Sequence, residues 1–167
     1  MSIMAKQFAL KKTSEERRGE LFELYLRRHD RINNWDLVDL AAWHVIGPWL
    51  VDKPRDVLYR LARSDNLWER RTAIYATMAF IRRGQLDDTF ALAEMLLDDK
   101  EDLIHKATGG MLRAAGLDRP RLEAFLARHA ATMPRTMLRY AIEHFDRERR
   151  AHYLGLRAPA AERSTDA

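Results

Sequence analysis

Residues Leu61–Gln85 read LARSDNLWERRTAIYATMAFIRRGQ, and their periodicity decides the fold. Apolar residues recur at three- and four-residue spacing, Asp65–Asn66 offers a helix start and Gly84 a stop, which together predict one helix over 66–83. Read outward in both directions, the same pattern predicts helices over 2–10, 14–29, 34–46, 54–63, 87–97, 100–115, 120–130, 134–145 and 147–155. Starts are marked by the capping-box pattern Thr13–Glu16, by Asn33–Asn34 and Asp98–Asp99, and by Pro54 and Pro120 in first turns. Stops are marked by Gly47–Pro48 and Gly116. Runs of alternating polarity long enough for a strand are absent, so the expected class is all-α.

Short connections between helices of this length favour antiparallel pairs. Trp35, Arg71 and Lys106 lie 36 and then 35 residues apart, each near the start of the second helix of a pair. That period predicts a HEAT-like helical-repeat solenoid, an α-α superhelix whose second helices stand side by side along one concave face. A single repeat domain is expected over 1–155, with 156–167 a disordered tail because APAAERSTDA has too little hydrophobicity to pack. At the other end, IMAKQFAL reads as one helix of a pair whose partner is absent, and Ile3, Met4, Phe8 and Leu10 need cover.

Composition narrows the function classes. The 167 residues contain no cysteine, which removes disulfides, thiolate catalysis and cysteine-based zinc sites and points to the cytoplasm. No apolar run approaches a bilayer span, and no secretory signal opens the chain, so no membrane role is expected. A formal net charge of +4, with the cationic excess mostly arginine, suits an anionic partner. Gly-rich phosphate loops, His-Glu-x-x-His and nucleophile elbows are absent, and the six histidines have no ligand spacing; neither a metal nor a cofactor is expected.

Within RINNWDLVDLAAWHVIGPWL, Trp35 and Asp39 are four residues apart and share a helix face. The following repeat brings Arg71 to the corresponding helix. Tryptophan, aspartate and arginine on adjacent concave helices would make a small cleft for an anionic substrate or phosphate.

Three segments, DRINNWDLVDLAAWHVIG, LARSDNLWERRTAIYATMAFIRRGQ and DLIHKATGGMLRAAG, together resemble the DNA alkylation repair family, the AlkD-like alkylpurine DNA glycosylases built from HEAT-like repeats. The resemblance runs from about Met4 to Leu154 and implies excision of N3- or N7-alkylated purines from double-stranded DNA without base flipping. It implies that Trp35 and Asp39 are the catalytic indole and carboxylate and that Arg71 contacts a phosphate. Lys106 and Arg113 are further candidate phosphate contacts. Family members usually carry further N-terminal helices, and by that comparison this chain is shortened.

The family pattern also implies altered positions. Tryptophan is expected where Gly110 stands and glutamate where Ala114 stands, while serine and proline are frequent at the positions of Ala41 and Trp43. A glycine in a helix interior costs about 1 kcal/mol relative to alanine, so the Gly109–Gly110 pair needs a reason. Besides a working glycosylase, two readings stay open: a DNA-binding module without catalysis, and a truncated scaffold whose cleft is reshaped, by design or selection, to take a small aromatic molecule. For the latter, Trp35, Trp43, Trp49, Trp68 and Tyr75 are the candidate walls.

Overall fold

Residues 2–157 are described by a computed structural model, and among them every regular element is helical. Helices α1 (Ser2–Ala9) and α2 (Glu15–Arg27) lead through a 3₁₀ turn at His29–Arg31 into α3 (Trp35–Ala41). A π-helical turn over Ala42–Ile46 carries α3 into α4 (Gly47–Leu50). There follow α5 (Asp56–Ala62), α6 (Leu67–Ala76), α7 (Met78–Ile81), α8 (Asp87–Met95), α9 (Asp102–Ala115), α10 (Arg119–His129), α11 (Arg135–Ala141) and α12 (Arg147–Gly155).

Several starts are capped as their residue types require. Side chains of Ser14, Asn34, Asn66 and Asp118 accept from the backbone N–H groups of Arg17, Asp36, Trp68 and Arg121, satisfying donors that a helix start leaves unpaired.

Four local expectations are corrected. Gly47–Pro48 does not stop the third helix, which continues to Leu50; the Gly47 N–H bonds to the Ala42 carbonyl, five residues back, and this wider turn accommodates the Pro48 ring. Gly47 is there for contact: a Cβ at this position would fall onto the Ala76 carbonyl oxygen and within 2.8 Å of Ala79 Cβ. The helix expected over 66–83 breaks at Thr77, whose Oγ1 donates to the Ile74 carbonyl at 2.7 Å. Asp98–Asp99 does not cap α9, which has Glu101 at its N-cap; Asp99 instead takes the guanidinium of Arg70. Pro54 lies upstream of α5, which begins at Asp56 with Arg55 as its N-cap.

Packing follows the repeat logic. One apolar cluster runs from Phe8 and Leu21 through Val38, Ile74 and Phe80 to Ile104, and a second gathers Leu112, Phe125, Leu126, Met137 and Leu138. Both α8 and α9 feed both clusters, Leu92 and Ile104 on one side, Ala93 and Leu112 on the other. A helix pair that is apolar on two faces must be covered on both, which is what stacks repeats. The helices α3, α6, α9 and α11 pack in succession and form the row that carries the candidate residues.

Charged residues stitch neighbouring pairs: Arg55 to Asp88 at 2.5 Å, Arg70 to Asp99 at 2.6 Å and Arg121 to Asp87 at 2.6 Å. At the N-terminus Ala5 and Phe8 are buried, while Ile3 and Leu10 stay exposed. At the far end Leu156, placed in the tail by the sequence reading, packs on the second cluster; residues 158–167 lie outside the described residues. No described helix is long and apolar enough to cross a membrane.

Candidate functional site

The Asn34 cap sets the first turn of α3 and thereby aims Trp35 and, one turn later, Asp39 from a single face. Trp35 is 54% exposed, whereas Trp43, Trp49 and Trp68 pack against the core. An indole left in water forgoes burial that would stabilise the fold by about 2–3 kcal/mol, and of the four tryptophans Trp35 is the one whose ring stands in solvent.

Asp39 is held by Arg71 of α6. Nε and Nη2 of Arg71 donate to the two carboxylate oxygens, each at 2.9 Å. Arg71 also donates through Nη1 to the Leu103 carbonyl of α9 at 2.7 Å and through Nη2 to the Tyr75 hydroxyl at 3.1 Å. Its guanidinium carbon lies 4.4 Å from the centre of the Tyr75 ring. The opposite face of this arrangement is aromatic, with Tyr75 stacked on Trp43 at 5.9 Å and 27°.

Arg71 was expected to reach a phosphate, and the structure turns it inward. It is only 5% exposed, and four of its five N–H groups are engaged. In this arrangement its guanidinium faces the Asp39 carboxylate. A carboxylate offers about four acceptor sites, so Asp39 retains acceptor capacity beyond its contacts with Arg71 and the Tyr75 hydroxyl.

Electrostatics at the pair run in two directions. Burial pushes the Asp39 carboxyl above its ordinary value, and the Arg71 guanidinium, together with the Tyr75 hydroxyl, pulls it partly back. Burial also raises the Tyr75 phenol, which stays neutral and able to hydrogen-bond. The net charge of the bidentate pair is near zero, so the pair is tolerated in a half-buried groove where a lone carboxylate would not be.

Behind Arg71 lies a network that the sequence reading missed. Thr72 Oγ1 donates to the Trp68 carbonyl at 2.9 Å, which leaves its lone pairs to accept from Tyr25 Oη at 2.8 Å and from His29 Nε2 at 3.0 Å. His29 is 3% exposed, its Nδ1 has no partner among the described residues, and burial lowers its pKa, so it is neutral. No spacing joins residues 25, 29 and 72 in the chain; only the packing of α2 against α6 does. Tyr75 was placed among possible pocket walls, and its link to Arg71, four residues away on one helix face, was legible only afterwards.

The remaining candidates lie on α9. Lys106 pairs with Asp102 at 2.7 Å, one turn away, and Arg113 pairs with Glu143. Both are solvent-screened surface pairs, which contribute little to stability and can be exchanged for another anion. The two glycines have different reasons. A Cβ on Gly109 would lie 2.5 Å from the Met137 carbonyl oxygen and 2.6 Å from Tyr140 Cβ, so the close approach of α11 demands glycine there. A Cβ on Gly110 would meet nothing within 4 Å. Ala114, one turn on, rests against the first core cluster.

The aromatic walls proposed for a small molecule do not close around one cavity. Trp43 and Tyr75 stack together, but Trp49 lies against Phe22 at 5.9 Å and Lys53 at 4.1 Å. No group of three His, Asp or Glu side chains among the described residues is placed to hold a metal.

Comparison with known proteins gives one result. The family model described as DNA alkylation repair enzyme matches residues 1–145. No curated protein and no solved structure gives a significant match. With a match that spans most of the helical row and every residue of the Trp35–Asp39–Arg71 arrangement, the chain belongs to the DNA alkylation repair enzyme family.

Proposed function

We propose that this protein releases N3- or N7-alkylated purines from double-stranded DNA by hydrolysing the N-glycosidic bond, as AlkD-like glycosylases do, without flipping the base. The observation that carries this reading is the Asp39 carboxylate, fixed by Arg71 and bordered by the exposed indole of Trp35.

The chemistry asks little of the protein. An alkylated N3 or N7 purine is already cationic, so the C1′–N bond breaks with its electron pair passing to the base, which departs neutral without a general acid. The sugar is left with oxocarbenium character. Asp39 stabilises that cation and accepts the proton of the water that adds to C1′, a single-carboxylate scheme in contrast to the paired carboxylates of ordinary glycoside hydrolysis. Trp35 lays its ring against the cationic sugar or base, a contact of about 0.5–2 kcal/mol. Arg71 acts as a positioning residue that holds the carboxylate, and Lys106 and Arg113 trade their surface partners for backbone phosphates. The open space at Gly110 leaves one wall of the cleft without the indole the family pattern carries.

The test is detection by HPLC of free 7-methylguanine and 3-methyladenine after incubation with alkylated duplex. Release by the parent chain and loss of release in Asp39→Asn support the reading. Release that persists in Asp39→Asn removes Asp39 from the mechanism. No release by the parent, with duplex affinity retained, favours a DNA-binding module without catalysis; no release together with gain of release in Gly110→Trp identifies the missing indole as the lost element.

A further inference from the structure

Arg71 is engaged by Asp39, and beside that pair the surface carries a second group of arginines that, unlike Lys106 and Arg113, have no surface partner among the described residues. The helix that starts at Trp35 and the one that starts at Leu67 run alongside each other and make contacts at regular intervals. Asp39 meets Arg71, and one turn later Trp43 stacks on Tyr75. At the next step Trp43 and Pro48, with Ala79 of α7 and Arg82 and Arg83 in the turn that follows it, line an open cleft of about 280 Å³.

That third rung differs from the other two in being unsatisfied. Arg55, Arg70 and Arg71 are each paired with a carboxylate. Arg82 and Arg83 are exposed, and their guanidinium groups have no ion pair or hydrogen bond among the described residues. Trp43 supplies the aromatic wall, its Nε1–H buried and without an acceptor among the described residues. Two free guanidinium groups beside an aromatic wall suit a phosphodiester, which arginine binds bidentately.

Position agrees with charge. Arg71 and Tyr75 share one face of α6, and Arg82, directly after α7, lines the cleft together with Trp43, which stacks on Tyr75.

We infer that the cleft between Trp43, Pro48, Arg82 and Arg83 binds backbone phosphates of the same DNA duplex whose lesion faces Asp39, setting the register of the strand along the α3–α6 groove. This inference rests on the duplex-repair reading for its partner, but its test uses undamaged DNA, so it fails or holds separately from base release.

The experiment measures affinity for an undamaged duplex by fluorescence anisotropy between 50 and 200 mM salt, with Arg82→Ala/Arg83→Ala against the parent chain. Loss of two phosphate contacts lowers the slope of log K against log salt by about 1.8, so the parent loses about twelvefold more affinity over that range than the variant. Arg82→Lys/Arg83→Lys restores the parental slope. Arg60→Ala/Arg128→Ala removes two exposed arginines on α5 and α10, outside the α3–α6–α9–α11 row and likewise unpaired among the described residues, and serves as the control. An unchanged slope in Arg82→Ala/Arg83→Ala overturns the inference, and so does an equal fall in the control, which would reduce the effect to net charge. Saturation of the cleft by inorganic phosphate alone, at concentrations where duplex binds, also overturns it in favour of a free-anion site. Circular dichroism of each variant establishes that the fold is intact.

Discussion

The double glycine of α9 makes a sharp prediction because its two members face different surroundings. Gly109→Ala places a methyl group 2.5 Å from the Met137 carbonyl oxygen and 2.6 Å from Tyr140 Cβ. Both obstacles belong to α11, one of them its backbone, so no side-chain rotation relieves the clash and α9 and α11 must part by close to 1 Å to restore ordinary contact. Overpacking of this kind costs about 1–3 kcal/mol, against a helix-propensity gain of about 1 kcal/mol for alanine over glycine. Because the obstacle is backbone, the upper part of that range applies, leaving a net loss of about 2 kcal/mol. Gly110→Ala meets nothing within 4 Å and keeps the whole gain of about 1 kcal/mol. In a chain of this size about 1 kcal/mol moves the melting temperature by roughly 2–4 °C. Urea titration followed by circular dichroism at 222 nm, with thermal melts alongside, therefore separates two adjacent substitutions by about 3 kcal/mol and gives them opposite signs. Stabilisation by both variants, or destabilisation by Gly110→Ala, would refute the reasoning, because the first removes the close α9–α11 approach and the second removes the open space at 110.

Two further outcomes follow from titration. Burial raises the Asp39 carboxyl, so base release should fall on acidification with an apparent pKa above the ordinary carboxylate value of 3.8, a limb that single-turnover rates across pH 4–7 would reveal and that Asp39→Asn would lack; an unshifted limb would mean the carboxylate is not the buried one. His29 is depressed instead: its folded-state pKa lies below the unfolded value of 6.5, so the stability it contributes is present above 6.5 and is lost as pH falls through the folded-state value, because the unfolded chain takes up a proton that the buried ring refuses. Urea midpoints at pH 7.5 and 5 should differ less in His29→Gln than in the parent, and an equal difference would take His29 out of the acid response.

Much of the architecture was legible in the chain because helices advertise themselves. The 3.6-residue period, the caps at Asn34 and Asn66, and the recurrence of Trp35, Arg71 and Lys106 are local signals, and each survives in the structure as a helix start or a place on the helical row; the box at Thr13–Glu16 marks the start of α2, one residue before its actual cap at Ser14. Where the reading failed, a tertiary neighbour had overridden the local rule. Gly47–Pro48 resembles a stop and is a contact surface for Ala76; Asp99 resembles a cap and is the counter-ion of Arg70. A residue type states what it tolerates, and only its neighbour determines which tolerance is used.

The site divides along the same line. The sequence alone determined that Trp35 and Asp39 share a helix face and that an arginine stands in the next repeat, because the spacing of four is a property of the helix itself. Only the tertiary structure decided that Arg71 points at Asp39, that Tyr75 and Trp43 stack beside them, that Thr72 gathers Tyr25 and His29 behind, and that Arg82 and Arg83 have no partner among the described residues. Arginine is equally suited to a carboxylate and to a phosphate, and a glycine equally to a crowded contact and to an empty one. Which of the two obtains depends on the distance between helices some thirty residues apart, and that distance is set by the packing of the two cores.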